Sequence, residues 1–169
     1  MGDMSDEPSS TEVSSNSDGA AVRFPPPFVP LIALALGVVI HLWVMPLRLS
    51  IDGLLRYGLA ILLLGLGAFL MAGAFGLFKQ TGQDPKPWIA TPEIISTGVY
   101  RYTRNPMYVS MGLLQAGIGV ALGNAWVVLL VPVVWYVIYL IAIRHEEAYL
   151  EGKFGSAYTD YKASVRRWF

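Results

Sequence analysis

Residues 107–143 read MYVSMGLLQAGIGVALGNAWVVLLVPVVWYVIYLIAI, two apolar runs (107–123 and 125–143) parted only at Gly123-Asn124. Each run is long enough to cross a bilayer core of about 30 Å, which takes roughly 17–25 helical residues. Gly-Asn is a turn signal, and so short a connection obliges the second helix to return beside the first. The spacing predicts a tight antiparallel hairpin of membrane helices. Upstream, 28–47 and 53–78 are apolar in the same way. The fold class expected is all-α, a polytopic membrane protein with about four transmembrane helices and a cytoplasmic helix after the hairpin.

Composition agrees. Hydrophobic residues make up 54% of the 169 and charged residues 14%, too apolar for a soluble domain of this size. Zero net charge and the lack of a zinc-finger pattern argue against a nucleic-acid partner. The absence of cysteine excludes disulfides, thiolate metal sites and cysteine nucleophiles. Two histidines, His41 and His145, are too few for a histidine-built centre, so no metal is expected.

Met1 to Ala21 is Ser-rich and carries Asp3, Asp6, Glu7, Glu12 and Asp18 without one base. It reads as a disordered acidic tail, assigned to 1–24, ahead of a membrane domain over 25–169. No basic flank of a secretory signal precedes Phe28, so that segment is expected to be retained. Pro25-Pro26-Pro27 prevents its helix from starting earlier.

Four spans would place both termini on one side with segment 79–106. That side holds Arg23, Lys79, Lys86, Arg101, Arg104, Arg144, Lys153, Lys162, Arg166 and Arg167, while Arg48 and Arg56 lie opposite. The positive-inside bias then predicts an integral protein of the inner (plasma) membrane with cytoplasmic termini. Trp88, Ile94, Ile95, Val99 and Tyr100 mark 79–106 as a loop that packs.

Three constellations face that side. Gly98 to Tyr108, with Tyr100, Arg104, Asn105 and Pro106 between, ends where the third span begins. Pro106 suits the first helical turn and Asn105 the N-cap. The plain reading is a capped helix start with interfacial anchors; the functional one is an anion-binding helix terminus beside Arg104. Arg144-His145-Glu146-Glu147 continues the fourth span. Neighbouring helical residues are about 100° apart, so the two glutamates cannot share a face. One can point into the bundle while the other meets solvent or pairs with Arg144. Solvated helix ends look the same, but a carboxylate at the bilayer boundary also attracts a sulfonium or ammonium cation. Last, Gly155 reads as a helix break, and Tyr158, Tyr161 and Val165 give the next helix an apolar stripe with Arg166 and Arg167 at its end. Gly65-Leu66-Gly67, Gly119 and Gly123 are best read as helix packing. Gln115 and His41 receive no role.

Together these stretches resemble the superfamily of isoprenylcysteine carboxyl methyltransferases and phospholipid N-methyltransferases. Its hallmark, Arg-His-Pro-x-Tyr followed by an apolar residue and Gly or Ser, stands here as Arg104-Asn105-Pro106-Met107-Tyr108-Val109-Ser110, with Glu146-Glu147 after the hairpin. Phe154-Gly155, Tyr158, Tyr161 and Val165 are similar to the family's tail, and the likeness covers about residues 79–169. The resemblance implies an S-adenosylmethionine site lined or braced by Arg104, Asn105, Pro106, Tyr108, Glu146 and Glu147, with Gly98 and Tyr100 in the same run. Asn105 would replace the usual histidine and cannot titrate near neutrality. Glu146 or Glu147 would serve as base for an amine acceptor, and Arg144, Arg166 or Arg167 would hold an anionic substrate head. The implied acceptor is lipidic or a small hydrophobic molecule, isoprenylcysteine-type first and phospholipid amine second. A nicotinamide-dependent membrane reductase and a non-catalytic scaffold are the other readings. Oligomeric state is not legible.

Overall fold

The computed structural model describes residues 19–22 and 24–168, and among them every regular element is helical. The expected tail thus lies outside the described residues as far as Asp18, as do Arg23 and Phe169. Its last residues are packed: Ala20 and Val22 are buried, and the Ala20 N–H donates to the Pro87 carbonyl at 3.0 Å.

Directly after the three prolines, α1 (Phe28–Val39) runs on into a π turn, Ile40–Val44. It stops three residues before the expected boundary at 47, because Met45 is extended and the next segment is bound elsewhere. The Ala125 N–H donates to the Leu47 carbonyl and the Leu49 N–H to the Gly123 carbonyl, both at 3.0 Å. Asp52 then accepts from the Leu54 N–H and starts α2 (Gly53–Gln80). Its 28 residues make a rod about 42 Å long at 1.5 Å per residue.

Pro106 opens α3 (Pro106–Ala121), as its spacing predicts. After Gly123, with φ of +63°, the chain resumes as α4 (Ala125–Leu129), α5 (Val131–Ile138), a π turn (Tyr139–Ile143) and α6 (Arg144–Phe154). The Gln115 amide donates to the Val127 carbonyl and the Trp135 indole to the Tyr108 carbonyl, both at 3.0 Å, fastening α3 to α4 and α5. Gly155 (φ +54°) breaks the chain as expected, and α7 (Ser156–Ser164) follows. The aromatic stripe does not continue as helix: Val165 is extended, and 165–168 turn back beneath the start of α3.

Small residues set the spacing of the bundle. The buried positions of α2 are Ala60, Gly67 and Ala74, one every seven residues. A Cβ on Gly67 would meet Leu114 at 2.9 Å and one on Gly117 would meet Leu64 at 2.8 Å, so α2 and α3 approach too closely for larger side chains. Gly119 packs on Val127, whereas Gly65 touches nothing within 4 Å. The opposite faces are apolar and open: Leu36 and Trp43 on α1 and its π turn, and Leu54, Ile61, Leu62 and Phe69 on α2, are exposed. In water each such side chain forgoes about 1.5–3 kcal/mol of burial, a cost absent in lipid. Gly53–Gln80 and Ala125–Phe154 are long and apolar enough to cross a membrane, while Phe28–Val44 and Pro106–Ala121 are apolar but shorter. This is a helical membrane protein.

Asn124 joins three segments: its side-chain oxygen caps α4 through the Trp126 and Val127 N–H groups, and its amide donates to the Gly37 carbonyl of α1 at 3.1 Å. Asn124→Ala removes both the cap and the bond to α1, and is expected to destabilise the protein by about 2 kcal/mol. Thermal unfolding in detergent measures this, and an unchanged midpoint would remove the role assigned to the side chain.

Candidate active site

The three constellations read from the sequence converge at one end of the bundle, around a cavity of about 300 Å³. Its walls come from the end of α2 (Phe75, Phe78), the loop after it, the start of α3, α6 and α7. Backbone hydrogen bonds hold the lower wall together. The Arg104 N–H donates to the Arg166 carbonyl at 3.0 Å, and the Thr103 hydroxyl and Asn105 amide both donate to the Arg167 carbonyl at 3.0 Å. Asn105 occupies the N-cap position of α3 but makes no side-chain cap, contrary to expectation, because its amide is spent on the C-terminal segment.

The adjacent glutamates diverge as helical geometry requires. Glu147 is buried and clamped: Arg167 Nε and Nη2 donate to its two oxygens at 2.9 and 2.8 Å, and Arg104 Nη2 lies 3.3 Å from Oε1. Its partners are therefore Arg104 and Arg167 rather than Arg144. The hydrogen bonds that Arg167 donates to Glu147 hold its guanidinium above the usual range. Glu146 turns instead into the cavity, where it accepts a hydrogen bond from the Tyr108 hydroxyl. It stands on α6, beyond the apolar stretch that ends at Ile143. Burial first, opposed by the Tyr108 hydrogen bond and aided by the charge of Glu147, raises its carboxyl to about 7. Tyr100 is pushed above its normal range, first by burial and then by Glu146.

Several polar atoms at this cavity lack partners. The Arg104 side chain is 8% exposed, yet its Nε and Nη1 have no hydrogen bond, nor do either of the amide atoms of buried Gln83. Buried donors and acceptors are nearly always satisfied, so these atoms mark a place where a polar ligand belongs. The set offers guanidinium and amide donors for an anionic group and the Glu146 carboxylate for a cationic one. An amino-acid sulfonium with both charges fits that chemistry.

Of the residues singled out in the sequence, Tyr100, Arg104, Asn105, Tyr108, Glu146 and Glu147 line the cavity. Pro106 is buried behind them as the first residue of α3. Gly98 does not line it; its φ of +55° opens the turn Gly98–Arg101 against Leu77. Arg144 does not line it either: it is exposed and its Nε donates to His145 Nε2 at 3.3 Å. Sequence reasoning missed Gln83 and the wall formed by Ala20 and Pro25 to Pro27. Neither has a periodic signal, since both lie outside helices, although Trp88, Ile94 and Ile95 of the packing loop do reach the cavity.

The fold and cavity define a class: helical membrane proteins with, at one end of the bundle, a largely apolar pocket into which a few charged and polar groups point. The chain belongs to the phospholipid methyltransferase family, whose model matches residues 55–157. It is similar to the protein-S-isoprenylcysteine O-methyltransferase of Schizosaccharomyces pombe, 32% identical over 105 residues that make up 59% of this chain and 43% of that protein. It is also similar to an uncharacterized protein of Haemophilus influenzae, 44% identical over 62 residues, 37% of this chain and 98% of the other. The chain thus spans less than half the length of the first relative and nearly all of the second. The resemblance carried by Arg104 to Ser110 and by Glu146-Glu147 is borne out by the family.

Glu147→Ala would leave Arg104 buried without a counter-charge. Breaking a fully buried pair costs about 3–5 kcal/mol; with a third of the Arg167 side chain exposed, about 2–3 kcal/mol is expected here. Thermal unfolding together with proteolysis of the C-terminal segment reads this out. A variant with wild-type stability and a protected tail would contradict the clamp.

Proposed function

We propose that the protein transfers a methyl group from S-adenosylmethionine to a lipidic or hydrophobic acceptor, with a carboxylate of the isoprenylcysteine type first. The observation that carries the reading is the pairing, in one cavity, of an Arg104 guanidinium whose Nε and Nη1 lack partners with a half-buried, cavity-facing Glu146. S-adenosylmethionine, when bound, would supply a sulfonium methyl carbon open to attack by the acceptor, with the neutral thioether S-adenosylhomocysteine as leaving group. Arg104 and Gln83 would take its carboxylate end, and Glu146, oriented by Tyr108, would face positive charge. Tyr100 and Tyr158 would keep water from the site. Much of the rate enhancement in such a displacement comes from alignment, so no covalent intermediate on the enzyme is required.

A carboxylate acceptor needs no base, and the similarity to the S. pombe protein favours it. A phospholipid amine is the second reading, favoured by one observation: an ammonium must lose a proton before it can react, and Glu146, with its carboxyl raised to about 7, suits that task. In our reading α1 with its π turn, α2, α3 and α4–α5 all cross the membrane, the last two as an antiparallel hairpin. The cavity opens to the cytoplasm, the side richer in Lys and Arg.

Calorimetry with the detergent-purified protein tests the cofactor. Micromolar binding of S-adenosylmethionine and S-adenosylhomocysteine is expected, with at least tenfold loss in Arg104→Ala. Because Glu146 must be ionised to face a cation, and its carboxyl is raised to about 7, S-adenosylmethionine affinity should fall about tenfold from pH 8 to pH 6. Glu146→Gln should abolish that pH dependence. No binding by folded protein would sink the reading and leave the reductase or scaffold. Orientation is testable because the chain has no cysteine. In intact cells an impermeant maleimide should label Ser50→Cys but not Thr97→Cys, both exposed positions, and the reverse pattern would invert the topology.

A further inference from the structure

At the other end of α2 and α3, remote from the cavity, His41, Arg48 and Arg56 meet around a second recess of about 250 Å³. They come from different segments: the π turn after α1, the extended 45–52 segment and the first turns of α2. The turn after α3 closes the recess with Leu122 and Gly123. From Arg56 to Phe78 along α2 is about 33 Å, so this recess belongs to the opposite face of the bundle.

Its charge is uncompensated. Neither Arg48 nor Arg56 forms an ion pair among the described residues, and the nearest carboxylate in sequence, Asp52, is engaged in capping α2. Arg56 Nε and His41 Nδ1 are buried without a hydrogen-bond partner. Arg56 is otherwise held in place, donating to the Tyr57 hydroxyl at 3.0 Å and lying against Gly123, where a Cβ would be 3.0 Å from its Nη1. A cation near a helix N-terminus is also opposed by the helix dipole. Two arginines without ion pairs and an orphaned imidazole nitrogen call for the same thing, an anion with several acceptor oxygens.

We infer that this recess is a phosphate-binding site, built from His41, Arg48 and Arg56 on the face opposite the candidate active site. The geometry suits the fork of a guanidinium on phosphate oxygens, with His41 donating through Nδ1. A free phosphate and a lipid headgroup share this chemistry of recognition. It owes nothing to the reading of the cavity as a methyl-transfer site.

Native mass spectrometry of the full chain, released from detergent containing phosphatidylglycerol, tests the inference. One tightly retained phosphatidylglycerol is expected, with retention reduced at least fivefold in each of His41→Gln, Arg48→Gln and Arg56→Gln. Displacement of the lipid by millimolar inorganic phosphate would assign the site to phosphate in general, and resistance to it would assign the site to the headgroup. Diacylglycerol, which has no phosphate, should not be retained. Equal retention of phosphatidylglycerol by the wild type and all three glutamine variants, or retention of diacylglycerol to the same extent, would overturn the proposal. The three variants lie in separate segments, so misfolding of one leaves the others decisive.

Discussion

The candidate active site depends on a buried carboxylate held between two arginines. Glu147 on α6 is clamped by Arg167 from the C-terminal segment and approached by Arg104 from the loop before α3. Three parts of the chain far apart in sequence are thereby tied at one point. Such a cluster is costly to bury and contributes little net stability compared with apolar packing, but removing one member leaves an uncompensated charge. Its effect is positional. With Glu147 fixed, the next residue back along the helix is turned about 100° away, and Glu146 is aimed into the cavity.

The same clamp explains why the C-terminal segment is not helical to its end. Residues 166 and 167 offer their carbonyls to Arg104, Thr103 and Asn105, which holds the segment extended beneath the start of α3. Trp168 then stacks on Trp135, with ring centroids 5.5 Å apart, and Trp135 in turn donates to the Tyr108 carbonyl. Tail, α5 and the start of α3 form one connected wall. Tyr108, which orients Glu146, belongs to it.

Outside this wall the bundle obeys a simpler rule. Small residues at the helix contacts let backbones approach, and large apolar residues face outward, the arrangement suited to a solvent of lipid. Polar side chains inside it fasten backbone rather than perform chemistry: Gln115 and Asn124 each donate to a carbonyl of another helix. The two recesses lie at opposite ends of the bundle.

The helical class, the membrane environment and the family were legible in the sequence, because long apolar runs, a proline at a helix start and a motif of fixed spacing are local properties. So was the separation of the two glutamates, which follows from helix geometry alone. Which glutamate faces the cavity was not, since either orientation satisfies the same pattern. Tertiary structure also decided that Asn105 binds the tail instead of capping α3, that Arg144 stays outside, that Gln83 joins the site and that residues 19–22 are packed. The placement of Asn105, Gln83 and residues 19–22 is settled by a partner 60 or so residues away or by a loop without periodicity, and a chain read one turn at a time carries no signal for contacts that only folding creates.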